Sequence, residues 1–397
     1  MKHYELKQPQ TAIPAKPQTR APQTPAPKPG RKRLPAKAPG GRLTQPAEVI
    51  KVGVDVGLKR YALCRQVDGS RPEPPRMISP EAFTGWLLEQ QPLARRVVIC
   101  YEAGLFGFEL ARWVVAQGME CLVMAPVKLD AGNKRVETDK LNAQEITSRL
   151  DRYLAGNTRA LTVCRIPTRD EELARQVTRQ RQQLLDHRRA LEAQGRSLLW
   201  QFGYRPEGQT CWWREPFWTQ VTAAVVPEVR GGLERLRAVI LVVAQQVSEV
   251  EVALAKASPQ ELPAGLAQPP LGMGALSLLI LTREIMDWHR FQNRRQVGSF
   301  TGLVPSEAST GESRWQGSVT KVGNPVVRTV LIEMAWRLVR HQPQCHALRR
   351  WWPILHDRRQ KGAAARKKAI VAVARVLAVD LWRLATDQTT PAQLGLR

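Results

Sequence analysis

The sequence predicts an α/β sheet domain followed by a mainly helical region, on three observations. Apolar strand patterns cluster between residues 49 and 125. An apolar 4-3-4-3 periodicity runs from Val229 to Leu254, and glycine-led turns alternate with apolar helices from residue 269 onward.

The strands read VIKVGVDVG from Val49, YALCRQVD over 61–68 and RRVVICYE over 95–102. An apolar-periodic helix is expected from about Phe106 to Ala116, then a strand ECLVMA over 120–125 and a helix starting near Asp139. Three strands followed by alternating helix and strand is the order of an RNase H-like (RuvC-like) sheet. The competing βαβ nucleotide-binding unit needs a glycine-rich phosphate loop, and GLFG at 104–107 lacks the full spacing.

A long charged helix follows from Thr168 to Trp200, opened by a capping box of Thr168 and Glu171. Val229, Leu233, Leu236, Ile240, Val243, Val247, Val250 and Leu254 mark a second, with a heptad seam of nearly four repeats. The pair reads as an antiparallel coiled-coil arm, used either for dimerisation or as a hairpin packed on its own domain. Between them Trp212, Trp213, Phe217 and Trp218 are read as buried structure. PPLGMGALSLLILTREI, from Pro269, has the layout of a helix-hairpin-helix, whose backbone N–H groups can hold a phosphate. Basic RQKGAAARKK at 359–368 leads into an amphipathic helix ending near Leu384.

This gives four regions: a basic arm at 1–47, a sheet domain at 48–165, a helical arm at 166–262 and a C-terminal helical domain at 263–397. The first 47 residues hold ten prolines and ten Lys/Arg, too little apolar surface to offset the entropy of ordering, so disorder is expected there. Over all 397 residues, 60 Lys+Arg against 35 Asp+Glu leave a net charge of +25, which points to a polyanionic partner, nucleic acid. No signal-peptide core and no apolar run near eighteen residues is apparent, so a cytoplasmic, nucleoid-associated protein without a membrane partner is expected. Six scattered cysteines without CxxC spacing imply neither zinc nor disulfides; Cys64, Cys100 and Cys121 should be buried in strands.

Chemistry is suggested by carboxylates at element ends. Asp55 interrupts a strand whose Val52, Val54 and Val56 share the other face, Glu102 ends the third strand, and Asp139 begins a helix with Asn142 one turn on. Carboxylates converging from separate elements repel unless a cation screens them, and hard cations such as Mg²⁺ take such oxygen donors. Two Mg²⁺ about 4 Å apart stabilise both attacking and leaving oxygens of a phosphodiester exchange.

The segments VGVDVG, CYEAG and KRVETDKLNA, followed by RFQNRRQVGSFTGLVPSEASTGESRWQGSVTKVGNPVVRTVLIEMAW, resemble the Piv-like DEDD transposases, insertion-sequence family one hundred and ten, over roughly residues 49–345. The resemblance implies an RNase H-like domain, a coiled-coil arm and a C-terminal transposase domain with a serine nucleophile. It also implies a structured noncoding guide RNA as partner. Carried over by motif, Asp55, Glu102 and Asp139 are metal-binding acids. The family's fourth acid is Asn142 here, an amide that still offers oxygen but removes a negative charge; Glu137 and Glu145 stand nearby. Where the family reads Ser-Gly, this chain has Ser309-Thr310-Gly311, so the nucleophile is Ser309 or Thr310, the alternative being a turn that the hydroxyls close. Arg294, Arg295, Arg314, Lys321, Asn324 and Arg328 are candidate nucleic-acid contacts, with Arg328 as the leading phosphate clamp.

The expectation is therefore a Mg²⁺-dependent DNA transposase or recombinase, guided by RNA and acting as a homodimer or larger assembly. The alternatives are a junction-resolving metal nuclease using water as nucleophile, or an inactive, domesticated nucleic-acid-binding protein.

Overall fold

A computed structural model describes residues 46–126, 138–205, 211–310, 313–356 and 362–397 of the chain. The basic N-terminal arm, and Glu137 just before Thr138, lie outside the described residues. The chain divides into two compact units: residues 1–102 with 113–162, and residues 103–112 with 163–397.

The first unit is built on β1 (Ala47–Val56). Residues 50–54 are all buried, as expected of a strand covered on both faces. β1 pairs antiparallel with β2 (Tyr61–Val67) and parallel with β4 (Ala94–Glu102), which pairs parallel with β5 (Glu120–Met124). A short β3 (Arg76–Ile78) extends the β2 edge, giving within this unit a mixed sheet of order β3-β2-β1-β4-β5; the two-residue β6 (Val163–Cys164) opens the long segment of the second unit. This order is compatible with an RNase H-like fold. Cys64, Cys100 and Cys121 are free, buried strand residues as expected.

Two elements of this unit differ from the sequence reading. The strand ending in Glu102 is the fourth, because β3 and helix α1 (Pro80–Gln90) precede it. The missed signal is local: Ser79 caps α1 by accepting from Ala82 N at 3.2 Å, and Pro80 and Glu81 occupy its first turn. Helix α2 (Glu109–Ala116) starts three residues later than expected, because Gly107, at φ 61°, closes a turn by donating to Gly104 O at 3.3 Å.

Helix α3 (Asp139–Leu154), capped by Thr138, buries Ala143, Ile146, Thr147 and Leu150. Its closest approach to the sheet is at Gly53, where any Cβ would come within 2.5 Å of the Ala143 carbonyl oxygen. The Thr147 hydroxyl accepts from Gly53 N at 3.0 Å and lies 3.0 Å from Cys64 O and 2.8 Å from Ala143 O, so one buried group ties β1, β2 and α3. Two residues earlier on β1, buried Lys51 pairs with Asp151 of α3 and donates to Asp68 O at 2.8 Å.

In the second unit, the capping box at Thr168 opens α4 (Arg169–Gln201) as expected. It packs against α6 (Pro227–Glu261), and the heptad seam is what turns inward: Val229, Leu233, Ile240, Val247 and Leu254 are buried. The seam is therefore consumed within the chain. Short α5 (Phe217–Ala224) joins them, and Trp212 and Trp213 are buried at this end, with indole N–H groups bonded to Glu192 O and Glu192 Oε1, both at 3.0 Å. By length and composition alone α6 is apolar enough to cross a membrane, and its seam packs on α4.

The C-terminal core is formed by α7 (Ala275–Ile285), α8 (Arg294–Thr301), α9 (Pro325–His341), α10 (Trp352–His356) and α11 (Ala363–Ala385). The expected Gly-Met-Gly turn leads into α7, with Gly272 at φ 86° against His341. Between α8 and α9 lies the hairpin β7 (Pro305–Thr310) and β8 (Ser313–Val319), where the sequence reading had only a turn.

Adding a methyl at Gly53 must separate α3 from β1, so Gly53→Ala should cost at least the roughly 1–3 kcal/mol of an overpacked core. Thr147→Val, which leaves buried polar groups unpaired, should cost about 1–3 kcal/mol. Urea denaturation checks both; an unchanged midpoint for Gly53→Ala would show that α3 does not depend on the close approach.

Candidate active site

The end of β1, the end of β4 and the start of α3 meet at one edge of the sheet. Val54 pairs with Tyr101, so Asp55 and Glu102 are the next residues on adjacent parallel strands, both half-buried. Because α3 is seated on Gly53, its first turn reaches the same edge. Asn142 Nδ2 donates to Asp55 Oδ2 at 3.1 Å, and exposed Asp139 is close enough to act on Asp55 electrostatically.

Burial pushes the Asp55 carboxyl above its ordinary value; the Asn142 bond draws it back in part, and the Asp139 charge adds to the rise. The protein thus leaves a desolvated negative charge incompletely balanced. Among the described residues no group of three His, Cys, Asp or Glu side chains is gathered tightly enough to hold one ion. Asp55, Glu102 and Asp139 contribute carboxylates from three elements, the kind of donor a hard cation takes, while Asn142 turns its amide nitrogen towards Asp55. Glu145 instead pairs with Arg149, Nε to Oε1 at 2.8 Å, on α3 itself.

Ser309 and Thr310 are the last residues of β7, with backbone partners Arg314 and Ser313 on β8. Residues 311–312 and the side chains of Ser309, Thr310 and Arg314 lie outside what the structure describes.

The other candidate contacts separate into two groups. Asn324 caps α9, its Oδ1 accepting from Val326 N at 2.9 Å and Val327 N at 3.2 Å, while Nδ2 donates to Glu284 Oε2 at 2.7 Å. Glu284 is fully buried and also holds Arg179 of α4 through both carboxylate oxygens. Arg328 Nη1 donates to Thr301 O at 3.1 Å and Lys321 O at 3.3 Å, closing the turn in which Lys321 adopts φ 57°. Asn324 thus caps α9 and ties it to Glu284, and Arg328 Nη1 helps close the turn at Lys321. Arg294 and Arg295 are exposed at the start of α8 and line a large cavity. The sequence reading missed one polar pair there, His346 with buried Asp380, because 34 residues separate them and each looks unremarkable in its own helix or turn.

The mixed α/β sheet of the first unit is compatible with an RNase H-like fold, and a mainly helical region carrying the β7–β8 hairpin follows it. The model of the IS116/IS110/IS902 transposase family matches residues 269–350. "Putative transposase y4rJ" of Sinorhizobium fredii is 32% identical over 313 residues, covering 72% of this chain and 76% of the relative. "Putative transposase y4qE" of the same organism is 29% identical over 377 residues, covering 88% and 93%. The transposase for insertion sequence element IS1111A of Coxiella burnetii is 34% identical over 120 residues, 30% of this chain and 32% of that one. The chain belongs to the IS116/IS110/IS902 transposase family, and that membership implies DNA binding.

A carboxyl raised by burial is stabilising only while protonated, so the fold loses stability as pH rises from the ordinary carboxylate value through the raised Asp55 value. Asp55→Asn should therefore melt higher than the parent at pH 7 in chelator, and the difference should vanish below the carboxylate range. Equal melting at pH 7 would contradict the desolvated charge. Asn324→Ala should lower stability by about 1 kcal/mol for the lost cap, and more for the unpaired Glu284 oxygen. If urea titration shows no loss, Asn324 is free for another role.

Proposed function

We propose that the chain is a transposase that cleaves and rejoins DNA through the hydroxyl of Ser309 or Thr310, assisted by Mg²⁺ at Asp55, Glu102 and Asp139. The observation that carries this reading is the meeting of Asp55, Glu102 and the α3 start at one sheet edge, with Asp55 desolvated and in contact with Asn142.

In the reaction, the hydroxyl oxygen forms a bond to phosphorus as one bridging P–O bond of the DNA breaks. The hydroxyl proton leaves to solvent or a nearby base, and the departing DNA oxygen takes up a proton. Rejoining is the reverse, with a DNA hydroxyl displacing the protein oxygen, so the phosphodiester energy is conserved in the phosphoester. Bound Mg²⁺ would polarise the phosphodiester and stabilise the charge on its oxygens. Asp55, Glu102 and Asp139 would hold it, with Asn142 either rotating to offer its amide oxygen or continuing to orient Asp55. Two adjacent hydroxyls cannot both align on one phosphate within the roughly 3–3.5 Å of a near-attack arrangement, so one of the pair is the nucleophile. Thr310 matches the family position, and its methyl crowds the attack.

The acids lie on the first unit and the hydroxyls on the second, and self-association is part of the same reading. Self-association is further supported by Val239, Val242 and Val252, exposed on α6 away from the seam. Selection of DNA by a structured noncoding RNA is part of the same reading, supported by the family resemblance and the +25 charge. One observation favours the non-enzymatic, nucleic-acid-binding alternative: an amide stands where the family has its fourth acid, and it occupies an Asp55 oxygen.

Incubated with Mg²⁺ and family-type insertion-element DNA, with its noncoding RNA, the protein should form a covalent, protease-sensitive DNA adduct. Thr310→Ala should abolish it and Thr310→Ser should retain it. If Ser309 has taken the role, Ser309→Ala is the null variant instead. Asp139→Ala should abolish adduct while leaving DNA affinity within a few fold, since affinity rests on Lys/Arg contacts to phosphates. Adduct from a Ser309→Ala/Thr310→Ala double variant would exclude the hydroxyl mechanism, and cleavage without any adduct would point to the water-using nuclease.

A further inference from the structure

The second unit contains a cavity of about 1660 Å³, bounded by α8, the β8 strand, the turn at 346–351 and α11. Small-molecule sites run to roughly 300–1,000 Å³, so this volume suits a polymer segment better. Its walls carry three exposed basic pairs: Arg294 with Arg295, Arg349 with Arg350, and Lys367 with Lys368. Arg375 and Arg383 continue the line along α11 at seven- and eight-residue steps, which keeps them on the face of Lys368. From Lys368 to Arg383 the helix rises about 22 Å, at 1.5 Å per residue. One DNA strand places a phosphate every 3.4 Å or so of duplex axis, so the stripe spans about six of them.

None of these eight cations is in an ion pair among the described residues. Elsewhere the chain pairs its arginines, as in Arg65–Glu73, Arg179–Glu284 and Arg283–Glu261. The one carboxylate lining the groove, Asp380, acts electrostatically on Arg383, so eight cations face a single negative charge; such an excess of one sign is self-repelling, and a polyanion relieves that.

That carboxylate is hydrogen-bonded to a histidine. Asp380, 3% exposed, takes His346 Nδ1 at 3.0 and 2.9 Å through its two oxygens. Burying a carboxylate is costly, and here it fixes a single ring orientation. With Nδ1 so held, Nε2 is the ring nitrogen left to meet a groove ligand, on a side chain 43% exposed.

We propose that this groove seats one DNA strand by its phosphates, with His346, oriented by Asp380, as a contact among the Lys/Arg side chains. Gln316, Gly317 and Ser318 of β8 line the same groove, so the strand would run beside the hairpin that carries Ser309 and Thr310. The choice of DNA as occupant rests on the transposase reading above; the shape and charge argument does not.

The test is a binding measurement that needs no cleavage. Anisotropy of a fluorescent 30-nucleotide DNA, and of RNA of the same sequence, is followed with the full chain across a NaCl series. Lys368→Glu/Arg375→Glu is compared with Arg235→Glu/Lys256→Glu on α6, the same charge change outside the groove. The groove variant should lose at least tenfold in DNA affinity and its log K against log salt slope should flatten by about 2, whereas the control stays within about threefold. His346→Ala should lose about threefold to tenfold with an unchanged melting temperature. Equal weakening by groove and control variants would overturn the site. Weakening for RNA with DNA unaffected would reassign it to RNA, and wild-type affinity in His346→Ala would remove the His346 contact. A missing covalent adduct would overturn the chemistry but not this groove, and the reverse holds for a failure here.

Discussion

The close approach of α3 to β1 at Gly53 is the constraint on which the first unit depends. A strand at the centre of a sheet ordinarily keeps a packing helix at side-chain distance. Here the missing Cβ lets the helix backbone come within reach of the strand, and the Thr147 hydroxyl fills the gap, accepting from Gly53 N and sharing its one proton between the Cys64 and Ala143 carbonyl oxygens. Two residues along β1 from that contact stands Asp55, and one helical turn before Thr147 stands Ala143, flanked by Asn142. The Asp55–Asn142 bond is therefore set by the same close approach that secures the fold. A carboxylate desolvated at the end of an otherwise apolar strand costs stability when ionised.

The second unit is organised around a different buried charge. Glu284 has no exposed side-chain surface, and it binds Arg179 from α4 and Asn324 at the head of α9. Breaking either contact would leave a buried carboxylate underpaired, so this triad joins the helical arm, α7 and α9 more specifically than apolar packing alone would. Arg283, next to it, is paired with Glu261 at the end of α6 through two bonds of 2.8 and 2.6 Å. The basic groove contrasts with both. Among the described residues its cations are exposed and make no ion pair, and its buried carboxylate, Asp380, hydrogen-bonds His346 and acts electrostatically on Arg383.

How much of this was legible in the sequence depends on the range of the interactions. Strand β1, the capping box at Thr168, the α6 seam and the start of α3 at Asp139 are written in local periodicity and capping residues, and the structure has them where expected. The family motif likewise lies in contiguous residues. Helix α1 was also locally encoded, by Ser79, Pro80 and Glu81, but a weakly amphipathic helix between two strong strands is overshadowed by them. The β7–β8 hairpin has little apolar alternation, so its polar strand pattern reads as a turn.

By itself the sequence determined the main strands and long helices, the family and the candidate acids and hydroxyls, because each is carried by neighbouring residues or by a motif. Tertiary structure alone decided which side chains are spent on the fold. Asn324 and Arg328 look like phosphate donors in sequence, yet their partners are Glu284, 40 residues away, and Thr301, 27 residues away. It also decided that the α6 seam faces α4 of the same chain, and that Arg294, Arg349, Lys368 and Arg383 share one groove with the His346–Asp380 pair. A hydrogen-bond donor is identical in the sequence whether its acceptor is a buried carbonyl or a phosphate, and only the folded chain places the acceptor within 3 Å or so of it.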